Sequence, residues 1–202
     1  GLRGRTIGTV VTVAEQGQGG VNGRPEFPCV GTASMNYFNV GRAMRGLITY
    51  VRRFVEAEGT GRKPLIVVGH DTRHFSRDFA EYCARIATDL GCDCALFDGP
   101  CSTPEVSFAI RELGCVAGVN ITASHNPKQW NALKLLNEKG EFLNDKEGKQ
   151  VLALAEQEDF LFPDVENIGK VISREDFNPT HIDQVLALNL VDVEKVKARK
   201  FK

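Results

Sequence analysis

The sequence lacks the long apolar runs and the charge excess that mark several protein classes. No apolar run approaches the roughly 18 residues that a membrane-spanning helix requires, so no membrane segment is predicted. The formal net charge is −1, which predicts neither a basic surface for nucleic acid nor an acidic solvating tail. With 42% hydrophobic and 25% charged residues, the 202-residue chain has the composition and length of one folded domain with a full core.

Cysteine pairs are also missing, although six cysteines are present. None forms a Cys-x-x-Cys pair, and Cys92 and Cys94 lack the second pair that a zinc site would require. Cys83 falls on the apolar face of a predicted helix, where a thiol behaves as a small hydrophobic group. We therefore expect reduced thiols and a cytoplasmic location. The sequence begins at Gly1 rather than Met and shows no secretory signal, and we expect its natural start to lie upstream.

One polar loop lies between two apolar segments. Val116–Ile121 is an apolar run typical of a buried strand, and Ala132–Asn137 predicts a second strand close behind it. Pro127 prevents the first strand from continuing, so Ser124 lies in a tight loop at the carboxyl end of a strand. Ligands and chemistry collect at this position in open α/β sheets.

The residues of this loop allow a structural and a chemical interpretation. Asn-Pro pairs initiate turns, and a Ser or Thr near a helix start is commonly a cap. A hydrolase dyad is disfavoured because Ser124 and His125 are adjacent and no Gly-x-Ser-x-Gly surrounds the serine. A phosphorylated serine fits better, since phosphate oxygens need donors and a nearby cation. Four nearby side chains could serve: His125, Asn126, Lys128 and Lys134.

Around this loop the sequence alternates between strand and helix patterns. We predict strands at residues 65–69, 94–97, 116–121 and 132–137, and helices at 38–57, 75–90, 105–113 and 145–158. This alternation predicts an α/β fold, a three-layer α/β/α sandwich with a mixed, mostly parallel sheet of about four strands. The last strand follows a short connection, so it should be antiparallel.

Local signals fix several boundaries of these elements. Asn36 is a plausible cap for the first helix, and Gly91 and Gly114 stop two others. Pro104 suits the first turn of the helix that follows it.

The two ends of the chain are less regular. Thr9–Val13 alternates like a strand and precedes a segment rich in Gly, so residues 8–31 read as a hairpin or a mobile loop without an assigned role. Residues 160–178 read as a surface linker, and Pro179–Leu190 and Val191–Ala198 as a helical pair. A metal site at His70, Asp71 and His74 is disfavoured because their spacing suits no standard geometry.

The segment Thr122-Ala-Ser-His-Asn-Pro127 resembles the phosphoserine signature of the α-D-phosphohexomutases, the family of phosphoglucomutase, phosphomannomutase and phosphoglucosamine mutase. The resemblance continues through Trp130-Asn-Ala-Leu-Lys134. Gly1–Arg5 resembles the end of the family's amino-terminal signature. Gly69, Asp71 and Arg73 match a Gly-x-Asp-x-Arg element that is expected to support neighbouring loops. The resemblance covers residues 1–202 except 8–31, as the first of four family domains, with a helical linker at about 160–202 towards a missing second domain.

This resemblance implies an intramolecular phosphotransferase that interconverts hexose 1-phosphate and hexose 6-phosphate through a hexose 1,6-bisphosphate. Ser124 would carry the phosphoryl group, and Arg3, His125 and Lys134 would be catalytic and contact the substrate. Lys134 is the first candidate for the general base, with a pKa lowered by Arg3 and partial burial, and His125 is the second. Mg²⁺ would bind a phosphoserine oxygen and carboxylates of the missing second domain, since no Asp-Gly-Asp-x-Asp-Arg occurs here.

Two alternatives belong to other functional classes. The domain could be a non-catalytic phosphosugar-binding or regulatory domain with the same fold. It could also serve mainly as an assembly surface for the remaining domains of the same polypeptide, with apolar positions exposed near Phe160, Phe162 and the terminal helix. The sequence does not choose between glucose, mannose and glucosamine phosphates, and the chain alone is expected to be inactive.

Overall fold

A computed structural model describes residues 10–11, 35–127, 130–157, 163–175 and 177–201. Six strands and six α-helices lie in these ranges. The strands are β1 (Val10–Val11), β2 (Leu65–His70), β3 (Asp93–Phe97), β4 (Ala117–Ile121), β5 (Leu133–Asn137) and β6 (Val171–Arg174). The helices are α1 (Tyr37–Glu58), α2 (Ser76–Asp89), α3 (Thr103–Leu113), α4 (Asp145–Glu156), α5 (Phe177–Leu186) and α6 (Val193–Ala198).

The strands form one mixed sheet in the order β1-β5-β4-β2-β3-β6. β4, β2, β3 and β6 are parallel, whereas β5 runs antiparallel to both of its neighbours. α1 packs on α2 and α4 on one face, and α3 and α5 pack on the other. The predicted three-layer α/β/α sandwich is therefore confirmed, as is the antiparallel direction of the last of the four predicted strands, which is β5.

Helices α1 and α3 have ends that the local residues favour. The Asn36 side chain accepts a hydrogen bond from the Asn39 amide at 2.8 Å, which satisfies a free N–H in the first turn of α1. α3 begins with a reciprocal pair in which Ser102 and Glu105 each accept from the other's backbone amide. Gly114 ends α3 with φ of 63°, a left-handed conformation that glycine adopts without a steric penalty.

Two glycines let α3 approach the sheet closely. A Cβ atom at Gly69 in β2 would lie 2.4 Å from Cys101 Sγ and 2.7 Å from Val106 Cγ2. A Cβ atom at Gly118 in β4 would lie 2.6 Å from Ile110 Cδ1. These distances are shorter than any real contact, so α3 and the loop before it sit directly against the backbone of the two strands.

The sheet has two more strands than the four that the pattern predicted. β1 is a two-residue strand beside β5, and it lies within Thr9–Val13, whose apolar and polar residues alternate as in a strand. β6 lies in the segment predicted as a surface linker, and it pairs with β3 in parallel at the edge of the sheet. Its side chains are mostly exposed, so no buried pattern distinguishes it in the sequence.

The predicted C-terminal helices are present as α5 and α6, joined by residues that are mostly exposed. Among the described residues, no helix combines the length and the apolar character needed to cross a membrane. Five cysteines lie in the described part of the chain as free, buried thiols: Cys83, Cys92, Cys94, Cys101 and Cys115. Burial raises the pKa of the Cys83 thiol to about 12, which makes this group a poor nucleophile at neutral pH.

Candidate active site

A cavity of about 770 Å³ opens at the edge of the sheet where β2, β3 and β4 end. The chain passes from β2 to β3 on one side and returns from β3 to β4 on the other side of β2. Such a reversal leaves a crevice at the carboxyl ends of the strands. Three loops line the cavity, at residues 71–74, 101–104 and 122–126, and Lys134 of β5 completes the wall.

Ser124 lies at the turn of the third loop in an uncommon conformation. Its φ of 56° is left-handed, which costs a residue with a Cβ atom about 1–2 kcal/mol and requires support from the surroundings. The Thr122 hydroxyl accepts from the Ser124 amide at 3.0 Å, and the Ala123 carbonyl accepts from the Asn126 amide at 3.1 Å. Ser124 is exposed, and its Oγ lies 3.3 Å from Nδ1 of His125.

Arg73 supports this loop from the side with its whole guanidinium group. Nη2 donates to the carbonyls of Ser124 and Asn126, both at 2.7 Å. Nη1 donates to the carbonyls of Pro127 at 2.8 Å and Trp130 at 3.1 Å. Nε donates to the Asp71 carboxylate at 3.1 Å, so all five N–H groups of the side chain are used. The loop-supporting role expected for Arg73 is confirmed.

A second set of hydrogen bonds connects the same two loops. Asp71 accepts from the Arg73 amide and from the Ser76 hydroxyl, both at 2.9 Å. Asn131 donates from Nδ2 to Ser76 Oγ at 2.8 Å and accepts at Oδ1 from the Ala132 amide at 2.9 Å. The loop after β2 and the connection between β4 and β5 therefore form one hydrogen-bonded unit.

Lys134 lies opposite Asn120 in the antiparallel β4–β5 pair, with its side chain half-buried in the cavity wall. Burial lowers the pKa of the Lys134 ammonium, and the negative charge of Asp71 opposes this by raising it. Burial therefore lowers the pKa of Lys134 in the direction that the sequence analysis expected. The ammonium also lies 5.6 Å from the centre of the Phe142 ring.

The structure brings together Ser124, His125 and Lys134 around this cavity. Arg3 and Lys128 lie outside the described residues. Thr103 and Asn120, which had no predicted role, also line the cavity. Thr103 accepts at Oγ1 from Asn120 Nδ2 at 3.0 Å, which connects α3 to β4.

A magnesium site needs several oxygen ligands, and the described residues around this cavity offer few that are uncommitted. Within the described ranges, no group of three His, Cys, Asp or Glu side chains is placed to hold a metal ion. Asp71, the carboxylate on the cavity wall, is engaged by Arg73 and Ser76. Among the described residues on the cavity wall, Ser124 carries an exposed hydroxyl oxygen.

The family model described as phosphoglucomutase/phosphomannomutase, alpha/beta/alpha domain I, matches residues 15–162. The chain belongs to this family. The matched range contains all three strands around the cavity and the loop that carries Ser124.

Curated relatives within the phosphoglucomutase/phosphomannomutase family are much longer than this chain. A phosphoglucomutase of Staphylococcus saprophyticus is 39% identical over 111 residues, which is 55% of this chain and 19% of that protein. A phosphoglucomutase of Staphylococcus epidermidis is 35% identical over 122 residues, which is 60% of this chain and 21% of that protein. The chain thus spans about a fifth of the length of these relatives.

Solved structures agree with the family assignment. A structure described as a phosphomannomutase of Thermus thermophilus superposes with a TM-score of 0.64 and 26% identity, over 77% of this chain and 33% of that one. A phosphoglucomutase/phosphomannomutase family protein of Burkholderia thailandensis shares the fold, with a TM-score of 0.61 and 17% identity over 78% of this chain and 33% of that one.

Sequence reasoning missed Ser76 and Asn131, which connect the two loops. Asn131 lies inside the segment that resembles the family signature, and Ser76 follows the Gly-x-Asp-x-Arg element by three residues. Proximity to those two motifs was the available signal. The contact between Ser76 and Asn131 joins residues 55 positions apart, which no local pattern indicates.

Proposed function

We propose that this domain carries the phosphoryl group in an enzyme that interconverts hexose 1-phosphate and hexose 6-phosphate of the glucose or mannose type. The observation that carries the proposal is Ser124, whose exposed hydroxyl is presented to the cavity by a loop held in a left-handed turn. An exposed hydroxyl beside a histidine and a lysine suits reversible phosphorylation. The longer relatives are phosphoglucomutases, and this supports the same chemistry.

In the proposed transfer, phosphoserine Ser124 gives its phosphoryl group to the free hydroxyl of a hexose monophosphate. A bond forms between the sugar oxygen and phosphorus while the bond between phosphorus and Ser124 Oγ breaks. The sugar proton passes to the neutral amine of Lys134, and the departing Ser124 oxygen takes a proton from His125, whose Nδ1 lies 3.3 Å away. The hexose 1,6-bisphosphate then turns around and returns its other phosphoryl group to Ser124.

Each side chain has a role that its surroundings support. Partial burial lowers the pKa of Lys134, so more of this amine is neutral and able to accept a proton than in an exposed lysine. A bound Mg²⁺ would neutralise charge on the transferred phosphoryl group, with Ser124 supplying one oxygen and the remaining ligands coming from outside this chain. We further propose that Arg3 is an additional cation of this site. We also propose that the protein is cytoplasmic.

Peptide mass spectrometry of the full-length protein tests the proposal. After incubation with a hexose 1,6-bisphosphate and Mg²⁺, we expect close to one phosphoryl group on Ser124, which leaves when a hexose monophosphate is added. Ser124→Ala should carry no label and have no turnover, whereas Ser107→Ala, a matched serine bonded to the Gly140 carbonyl, should keep both. The isolated 202-residue chain should show no turnover.

A Ser124 that never carries phosphate would refute this function. If that protein still bound hexose phosphates, the result would favour the non-catalytic phosphosugar-binding domain. Binding of glucose 1-phosphate and mannose 1-phosphate, compared by calorimetry, would separate the two substrate types.

A further inference from the structure

We propose that Arg73 is the positioning residue for the nucleophile, and that it acts through the loop carbonyls without contacting the phosphoryl group; this rests on the proposed function of Ser124. An arginine beside a phosphorylated serine would ordinarily be assigned to the phosphate, because its planar fork matches phosphate oxygens. The contacts of Arg73 argue otherwise.

All five N–H donors of Arg73 bind groups of the protein itself. Four N–H groups point at the carbonyls of residues 124, 126, 127 and 130, and the fifth points at Asp71. The side chain is 12% exposed and carries no donor for a ligand. A phosphate could recruit Arg73 only by taking a donor from a carbonyl, which would release the loop.

This arrangement also sets which side of the loop faces the cavity. Arg73 binds the carbonyl oxygens of Ser124 and Asn126, whereas the Ser124 hydroxyl is in contact with His125 Nδ1 instead. With the negative ends of these peptide dipoles neutralised by the guanidinium, an anion on the hydroxyl meets less repulsion from the loop backbone. The same contacts hold Ser124 in its left-handed conformation, which a free serine seldom adopts.

The identity of the side chain follows from this geometry. Only a guanidinium has two terminal nitrogens with two N–H groups each, aligned in a plane, together with a fifth N–H for Asp71. A lysine has three donors on one atom, so it cannot reach four carbonyls and a carboxylate. Arg73→Lys should therefore lose the function of Arg73 in holding the loop, although the positive charge is retained.

The test measures loop order and phosphoryl transfer separately in the full-length protein, with Arg73→Lys and Arg73→Ala. In both variants, amide hydrogen exchange at residues 123–126 should accelerate about tenfold or more, since each charge-assisted bond contributes that much. The rate of Ser124 phosphorylation should fall about 100-fold, as expected for a misplaced nucleophile, with the KM for hexose monophosphate within about twofold. Millimolar guanidinium should restore part of the rate in Arg73→Ala.

Arg77→Lys is the matched control, because Arg77 lies on the neighbouring helix and contacts Glu81 at the surface with 66% of its side chain exposed. It should leave exchange and phosphorylation unchanged. A wild-type protein that never phosphorylates Ser124 would refute the proposed function, while the exchange data would still decide whether Arg73 orders the loop. Wild-type exchange in Arg73→Lys, or a raised KM with an unchanged phosphorylation rate, would overturn the inference.

Discussion

The Ser124 loop, residues 122–127, and the C-terminal segment, residues 177–201, are ordered by opposite means. The loop is polar and exposed at its turn, yet its backbone is held by Arg73 and Thr122. The C-terminal segment is rich in apolar side chains, yet only Phe177 is buried among its residues. Hydrogen bonds can therefore order a loop with little apolar burial, whereas apolar composition alone does not bury a helix.

The two regions also differ in where their contacts lie. The contacts that shape the Ser124 loop lie within the described residues. The C-terminal segment instead presents Ile182, Leu188, Leu190 and Phe201 to solvent, with exposures of 54%, 57%, 98% and 78%. Exposed apolar side chains of this size are typical of a contact surface.

Removing Phe177, the buried side chain of the C-terminal segment, should have the largest effect on this comparison. The Phe177 ring lies 5.1 Å from the Phe97 ring and 4.8 Å from the Arg174 guanidinium. Phe177→Ala should lower the free energy of unfolding by about 3–5 kcal/mol, the usual cost of emptying a buried aromatic site. It should also make residues 177–201 sensitive to trypsin. Urea unfolding and limited proteolysis measure both effects.

Phe201→Ala is the matched control, since this side chain is 78% exposed and its removal should change the unfolding free energy by less than about 0.5 kcal/mol. Equal protease resistance in Phe177→Ala and the wild type would show that the segment does not depend on this anchor.

A smaller effect should appear in the loop when two substitutions at Ser124 are compared. Ser124→Gly and Ser124→Ala both remove the hydroxyl, but only glycine adopts the left-handed φ without a steric penalty. The glycine variant should therefore be the more stable by about 1 kcal/mol. Thermal unfolding of the two variants measures the difference, and equal stability would mean that the loop relaxes to another conformation.

The smallest effect on stability should come from the exposed apolar side chains. Ile182→Gln with Leu190→Gln should change the unfolding free energy of the isolated chain by less than about 0.5 kcal/mol. The double variant should bind less of a hydrophobic dye and self-associate less, as measured by fluorescence and sedimentation. Lys195→Gln, an exposed polar control on the same segment, should do neither, and an unchanged dye signal in the double variant would place the contact surface elsewhere.

The sequence predicts the fold well because its strongest signals are local. The cap at Asn36, the proline in the first turn of α3, the glycine stop at Gly114 and the alternation of apolar strands with helices each depend on a few neighbouring residues. β6 was missed because a short edge strand with exposed side chains lacks a buried pattern. The boundaries of the remaining elements moved by one or two residues, as helix ends commonly do, except that α5 ends at Leu186, four residues before the predicted Leu190.

The position of the candidate site could be predicted from the sequence, but the hydrogen bonds that shape it could not. The position of Ser124 after an apolar strand and before Pro127 indicates the loop, and the resemblance indicates its chemistry. The four carbonyls that Arg73 contacts lie 51 to 57 residues away in the chain. A carbonyl acceptor belongs to every residue type, so no side-chain pattern reveals such a contact.

The close approach of α3 at Gly69 and Gly118 has a consequence for how the cavity can change. One wall of the cavity, residues 101–104, is the start of that helix, so its height is fixed by two positions beneath the helix. An added methyl group at either glycine would overlap a side chain of α3 or of the loop before it, so the helix or that side chain would have to shift. The size of the opening thus depends partly on two residues outside the cavity lining, and a change at Gly69 or Gly118 can alter the opening while every lining side chain stays the same.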